Sequence, residues 1–377
     1  MTKKNILLIA GEVSADHHGA HLLEALKTLQ PQLEVWGIGG DELQKQGMTL
    51  LYHVRQMSFL GVGEVLKHLP FIRQVMKAIK NRAQKDKPDA AILIDYPGFN
   101  LRLAKALKKM NIPVIYYISP QLWAWGRGRV KTIKQCVDLM LVLFPFEKEF
   151  YEQHGIKAQY VGHPLVDRHH QFLPEEFKKV KPGKAVIGLL PGSRQNEIKS
   201  LLPRMVKSAG ILIEKGAVEK VVIARVPHLH EDYYRQFLQA TDGHFELVEK
   251  PMQHLLPELD AALVASGTAT LETAYYAVPM VIVYHVNALT YWLGRLLIKV
   301  SHIGLANIVA QEEIAPELIQ HEFTPQKAAD LMFKVLNPQV NEQLRKRMLI
   351  VRQKLGRPGA SLRAAEHVHR FLSGDLN

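Results

Sequence analysis

The segment Ala265-Ser266-Gly267-Thr268-Ala269-Thr270-Leu271-Glu272 carries the sharpest chemical signal in the chain. It ends the apolar run Ala261 to Ala265, which reads as a strand, and opens a pattern that reads as a helix. Small residues at such a junction let a diphosphate approach the backbone, and the N–H groups of a helix start stabilise its charge. Ser266, Gly267 and Thr268 are therefore candidates for diphosphate contact, and Glu272, one turn further on, is placed to accept hydrogen bonds from both ribose hydroxyls. The same residues would also make an ordinary capped helix. A second loop, Leu190-Pro191-Gly192-Ser193-Arg194, follows another apolar run. Gly192 and Ser193 offer backbone donors, and Arg194 offers a planar fork matched to phosphate oxygens. Alone it is a plain turn with a surface arginine; two such loops in one domain favour the nucleotide reading.

The first half of the chain holds the other reactive side chains. Asp95 closes the run Asp89 to Asp95 and is followed by Tyr96-Pro97-Gly98-Phe99-Asn100, so its carboxylate belongs at a strand end, as a general base or a helix cap. Gly11 to Ala20 follows the first strand, with Glu12, Ser14 and Asp16 as candidates for an acceptor. Ser119, Trp123, Trp125 and Arg129 lie in a later loop, where aromatic rings and guanidinium groups suit a sugar or lipid wall, or simply a packed loop with solvated arginines. The stretch from Met57 to Ile72 is more apolar than one buried helix face requires, and Arg73, Lys77, Lys80, Arg82, Lys85 and Lys87 follow it. Its Phe59, Leu60, Val62, Val65, Leu66, Leu69, Phe71 and Ile72 suit an anionic bilayer or acyl chains; a buried helix pair is the plain alternative. Asp16-His17-His18, His169-His170 and His228-Leu229-His230-Glu231 lack completing ligands for a metal, and the latter two read as surface histidines.

What must position these residues is an alternation of short apolar runs with helical patterns, the signature of parallel sheet. Runs at 5–10, 34–37, 89–95, 113–118 and 139–144 form one series; after a polar break at 171–183 a second begins at 184–190 and continues at 220–224, 245–248, 261–265 and 279–284. The fold class is therefore α/β, with two Rossmann-like, doubly wound domains facing a central cleft. The first spans 1–168 and the second 169–356. Helical patterns at 326–336, 341–355 and 361–372 close the chain, and the segment 357–377 is expected to cross back onto the first domain. In such sheets ligands bind outside the carboxyl ends of the strands, where all the candidate loops fall.

The chain's 377 residues suit two domains, and 47% hydrophobic with 22% charged residues is ordinary globular composition. The run after Met1-Thr2-Lys3-Lys4 is too short for a membrane span and lacks a cleavage site, so a cytosolic protein is expected. A single cysteine, Cys136, excludes an intrachain disulfide and reads as a buried thiol. The net charge of +12 suits nucleic acid, an anionic membrane surface or phosphorylated substrates. No basic stripe with stacking aromatics supports nucleic acid.

Motifs in the same order along nearly the whole chain resemble lipid-A-disaccharide synthase, a glycosyltransferase family with the two-domain GT-B fold. They are GEVSAD (11–16), IDYPGFN (94–100), SPQLWAWGRGRV (119–130), FPFEKEFY (144–151), GHPLVD (162–167), LLPGSRQNEI (189–198), ASGTATLE (265–272) and LANIVA (305–310). The resemblance implies transfer of 2,3-diacylglucosamine from its UDP derivative to the 6-hydroxyl of 2,3-diacylglucosamine 1-phosphate, with UDP released. It implies that Asp95, Arg194 and Asn307 matter for activity, and that the surface near Met57 to Met76 meets the cytosolic face of a Gram-negative-type inner membrane. Exchange of C-terminal segments within a homodimer is a further implication. No cofactor is expected, and the absence of any Asp-x-Asp agrees with a metal-free reaction. One departure is Ala15, where the family's first loop usually has glycine; a left-handed backbone there would be strained. The rivals are a murein transferase or a 2-epimerase acting on UDP-N-acetylglucosamine, and, outside enzymes, a basic membrane-peripheral or nucleic-acid-binding protein.

Overall fold

A computed structural model of the chain describes residues 3–57, 68–123, 127–238, 243–286 and 302–375. The chain divides into two compact units, Met1–Asp167 together with Arg357–Asn377, and Arg168–Gly356.

The first unit is built on a seven-stranded sheet of β1 (Lys4–Ala10), β2 (Leu33–Gly39), β3 (Thr49–His53), β4 (Ala90–Ile94), β5 (Val114–Tyr117), β6 (Leu139–Val142) and β7 (Ala158–Tyr160). Its strands run parallel in the order β3-β2-β1-β4-β5-β6-β7. The second unit carries a six-stranded parallel sheet of β8 (Ala185–Leu190), β9 (Val218–Ala224), β10 (Phe245–Val248), β11 (Ala261–Ala265), β12 (Met280–Tyr284) and β13 (Glu317–Ile319), ordered β10-β9-β8-β11-β12-β13. Central strands such as β4 and β11 are buried at every residue, because helices cover both faces. That double burial makes their sequences continuous apolar runs.

Every apolar run expected as a strand is one, with ends shifted by at most two residues. Three further strands, β3, β7 and β13, are all sheet edges. An edge strand pairs on one side only, so Thr-Leu-Leu-Tyr-His, Ala-Gln-Tyr and Glu-Leu-Ile need no continuous apolar run and give none.

The C-terminal helix Ala360–Ser373 packs on helix Val13–Leu29 of the first unit. Asp167, the last residue of GHPLVD, secures it: its carboxylate accepts the N–H groups of Gly359 at 2.6 Å, Ala360 at 3.1 Å and Ser361 at 3.2 Å. These are donors that a helix start leaves without intrahelical partners. Arg363 donates to the carbonyls of Val161 and Pro358, both at 2.8 Å, tying the same turn to the end of β7. Ala15 lies inside helix Val13–Leu29, buried and outside the left-handed region, so the departure from glycine carries no backbone strain. Cys136 is buried and free.

Replacing Asp167 with alanine should cost about 1–2 kcal/mol, the usual worth of a helix cap. Hydrogen exchange should speed up at residues 359–375, with the second unit's amides unchanged.

Candidate active site

Strand order reverses between β1 and β4 in the first sheet and between β8 and β11 in the second. At such points the loops leaving neighbouring strands diverge and open a crevice beyond their carboxyl ends. Ala10 pairs with Ile94 at the first of these, so Glu12 and Asp95 leave adjacent strands side by side. Leu190 pairs with Val264 at the second, so the 191–194 and 266–268 loops flank the second reversal.

Asp95 and Tyr96 have φ of +46° and +47°, a left-handed pair without glycine before the helix Pro97–Lys109. Such residues persist only where the surroundings over-determine them. Here the Tyr116 hydroxyl donates to the Asp95 carbonyl at 2.6 Å and Asn100 Nδ2 donates to it at 2.7 Å, while Asp95 N–H donates to Tyr117 O at 3.0 Å. Gly11 is needed because a side chain there would run into the Tyr96 ring. Burial, with the negative charge of Glu12 added to it, pushes the Asp95 carboxyl up to about 6; a backbone hydrogen bond from Tyr96 opposes the rise. Glu12 and Ser14 are exposed beside this turn.

Asp16 departs from its expected acceptor role. It is buried, and its carboxylate accepts the N–H groups of Gly40 at 2.6 Å, Glu42 at 3.1 Å and Leu43 at 3.2 Å, capping helix Asp41–Lys45. Ser119 and Trp123 also turn inward. Ser119 Oγ and Trp123 Nε1 donate to one oxygen of Glu147, at 2.7 and 3.2 Å, and the other oxygen accepts from Leu143 and Phe144 N–H at 3.1 and 3.2 Å. Glu147 was not among the expected site residues although it stands in the FPFEKEFY motif. Burial raises its carboxyl to about 7 against the pull of those donors. Arg129 is half-buried, near enough to Tyr116 for its charge to counter the rise of that phenol. Trp125 lies outside the described residues.

Of the apolar segment, Phe59, Leu60, Val62, Val65 and Leu66 lie outside the described residues. Leu69 is half-buried, and Phe71 and Ile72 pack against the first unit's core, with Phe71 edge-on to Tyr52 at 6.0 Å. These last two are thus partly committed to the fold. Arg82 lies over the Trp36 ring at 4.5 Å and pairs with Asp86, which removes it from the basic row. No helix among the described residues is long and apolar enough to cross a membrane.

In the second unit, Gly192 has φ of +97°, and a side chain there would collide with Glu197. The Glu197 carboxylate accepts from Ser193 and Arg194 N–H at 3.3 and 3.4 Å and from Arg194 Nη1 at 3.0 Å. Glu197 therefore holds the loop open and meets the donors expected to face phosphate. Its position three residues after the Arg194 cap is the spacing of a capping box, a signal readable in Leu189 to Ile198. The Arg194 side chain is 71% exposed and otherwise free to swing. Across the strand reversal, a side chain at Gly267 would meet no heavy atom within 4 Å, so nothing in the described protein crowds the approach to helix Thr268–Tyr275. Ser266 Oγ donates to Ile303 O at 3.0 Å, and Thr268 is exposed.

Asn307 is fully buried and saturated. Its amide donates to Ala315 O at 2.7 Å and Glu317 Oε1 at 2.8 Å, and its oxygen accepts from Ile314 and Ala315 N–H at 2.9 and 3.0 Å. In this arrangement it shapes the backbone and has no valence for a substrate. Glu317 extends the clamp, accepting Ile303 and Gly304 N–H at 2.8 and 2.9 Å. Through Ile303 this clamp reaches Ser266. Glu272 keeps its expected place one turn into the helix, with a side chain 16% exposed. His169, expected on the surface, is instead buried, with Nε2 3.4 Å from Glu272 Oε1. His228 and His230 are exposed. Among the described residues, His, Cys, Asp and Glu form no group of three or more that could hold a metal ion.

Solved structures share this architecture. S. aureus MnaA with UDP superposes with a TM-score of 0.65 at 14% identity, covering 98% of this chain and 97% of that one. The calicheamicin glycosyltransferase CalG4 gives 0.62 at 15%, covering 100% of each, and Acinetobacter baumannii MurG gives 0.58 at 16%, covering 98% and 99%. The fold is that of the GT-B glycosyltransferases. The family model described as Lipid-A-disaccharide synthetase matches residues 6–368. The lipid-A-disaccharide synthase of Myxococcus xanthus is 41% identical over 376 residues, 97% of each chain. That of Coxiella burnetii is 39% identical over 381 residues, 99% of this chain and 100% of the other. The chain belongs to the lipid-A-disaccharide synthetase family.

The raised Asp95 carboxyl predicts a pH dependence of stability opposite in sign to that of a salt-bridged aspartate. The folded state holds its proton to higher pH than the unfolded chain does, so Asp95 favours folding most at low pH. Stability from this group falls as pH rises from about 4 through about 6 and is flat above. Asp95→Asn should therefore stabilise the protein by about 3 kcal/mol at pH 8 and by well under about 1 kcal/mol at pH 4, measured by denaturant unfolding at both.

Proposed function

We propose that this enzyme transfers 2,3-diacylglucosamine from UDP-2,3-diacylglucosamine to the 6-hydroxyl of 2,3-diacylglucosamine 1-phosphate, giving the β(1→6) disaccharide precursor of lipid A and UDP. Membership of the family supports the substrates, and the UDP bound to the S. aureus neighbour agrees with the donor. The first unit, with the C-terminal helix returned to it, serves the acceptor and the membrane; the second holds the nucleotide.

The observation that carries the reading is Asp95. A carboxylate with a pKa near 6 is deprotonated at neutral pH yet about a hundredfold more basic than an ordinary aspartate, which suits a general base for a hydroxyl. Asp95 takes the proton of the acceptor 6-hydroxyl, the oxygen attacks the anomeric carbon, and the bond to UDP breaks on the opposite face, inverting the centre. The leaving diphosphate is met by the N–H groups at Gly267 and Thr268, by the Thr268 hydroxyl, and by Arg194, which exchanges Glu197 for phosphate, while Ser266, its hydroxyl spent on the Ile303 carbonyl, shapes the turn. Gly192 and Ser193 line the same approach, and Glu272 takes the ribose. Phe59, Leu60, Val62, Val65, Leu66 and Leu69 lead the acyl chains and the cytosolic surface of the inner membrane to the first unit. The protein works there peripherally.

With radiolabelled UDP-diacylglucosamine, Asp95→Asn should lower turnover about a hundred- to ten-thousandfold and leave UDP affinity unchanged. Near-normal turnover would reject Asp95 as the base. In the wild type kcat/KM should fall about tenfold per pH unit below about pH 6, because the base is lost on protonation. Failure to consume the acylated donor, with turnover of UDP-N-acetylglucosamine instead, would overturn the substrate assignment.

A further inference from the structure

His169 is the first buried side chain after the chain enters the second unit at Arg168, and its ring is held on two sides. Nδ1 lies 3.1 Å from the Tyr276 hydroxyl, which is also 3.4 Å from the His169 carbonyl. The ring stands edge-on to Tyr276 at 5.6 Å and to Tyr275 at 6.5 Å. Nε2 faces Glu272 Oε1 at 3.4 Å, and Arg168 reaches the same oxygen at 3.8 Å from a half-exposed position.

Two protonation patterns fit these contacts. Neutral His169 accepts the Tyr276 proton at Nδ1; charged His169 donates from Nδ1 while Tyr276 donates to the carbonyl. In both, Nε2 carries a hydrogen directed at Glu272, because a bare nitrogen lone pair would repel the carboxylate. Tyr276 thus holds the ring at Nδ1 in either pattern, and the Nε2 side of His169 bears on Glu272. Among the described residues no hydrogen bond or ion pair engages Oε2, so the carboxylate's contacts all fall on one oxygen and the other has none to give up.

We propose that His169 is a positioning residue for ribose recognition: its Nε2–H orients Glu272 so that the outer carboxylate oxygen meets the ribose hydroxyls of the nucleotide. The proposal rests on the reading that Glu272 holds the ribose. A buried polar support of this kind lowers the ordering cost of a flexible glutamate and should appear as discrimination between ligands with and without ribose hydroxyls.

Calorimetric titration of the full-length protein with UDP and with 2′,3′-dideoxy-UDP tests this. The wild type should prefer UDP by about tenfold or more, and Glu272→Gln should remove most of that preference. His169→Phe should cut the preference to within about threefold by weakening UDP alone, with dideoxy-UDP bound as in the wild type. Tyr276→Phe, which keeps the ring and removes the hydroxyl, should lose part of the preference, and His169→Gln should restore part of it. Equal weakening of both ligands by His169→Phe and Tyr276→Phe would show that His169 only supports the fold; an unchanged preference in both would show that it does not orient Glu272. Either result overturns the proposal. A wild type indifferent to the ribose hydroxyls would instead overturn the role of Glu272, and this proposal with it.

Discussion

A parallel sheet covered on both faces has only its strand ends left for chemistry. In both units the central strands are dry and their amides and carbonyls are spent on neighbouring strands, so neither face offers a ligand a polar group. The reversals of strand order between β1 and β4, and between β8 and β11, then decide which ends have room in front of them. Asp95, Glu12, the 191–194 loop and the 266–268 turn all depend on that one constraint. Their side chains are ordinary; what sets them apart is their placement at the strand ends beside these reversals.

Around those strand ends the protein uses carboxylates as backbone clamps. Asp16 gathers three N–H groups of the 40–43 turn, Asp167 three of the returning C-terminal helix, Glu197 two of the 193–194 loop, Glu317 two before helix Leu305–Ala310, and Glu147 two of the 143–144 turn. A carboxylate can accept several such bonds at once and fixes a loop without a long side-chain tether. The chain has 36 acidic against 48 basic side chains. Five of those acids are therefore committed to organising loops.

Asp95 and Glu147 differ from the other clamps in cost. Both are raised chiefly by burial, to about 6 and about 7, but Glu147 is met by four donors and Asp95 by one backbone hydrogen bond while Glu12 adds a like charge. Glu147 organises the loop bearing Ser119 and Trp123, whereas Asp95 has no comparable set of donors. Two carboxylates in one unit thus hold their protons for the same chief reason, burial, in very different surroundings.

Sequence by itself determined the doubly wound class, the place of the central strands and the two loops flanking β8 and β11, because each follows from local periodicity or from small residues directly after an apolar run. Edge strands β3, β7 and β13 escaped it, since a strand paired on one side has no obligation to be continuously apolar. Residue types likewise marked Asp16, Ser119 and Trp123 as chemically able, and the family resemblance marked Asn307, but only the tertiary structure decided that they point inward at Gly40, Glu147 and Glu317, and that His169 is buried beside Glu272. The physical reason is range. A strand or a turn is specified by neighbours in the chain, whereas the partner of a hydrogen bond across 24, 28 or 107 residues exists only once the sheets have assembled.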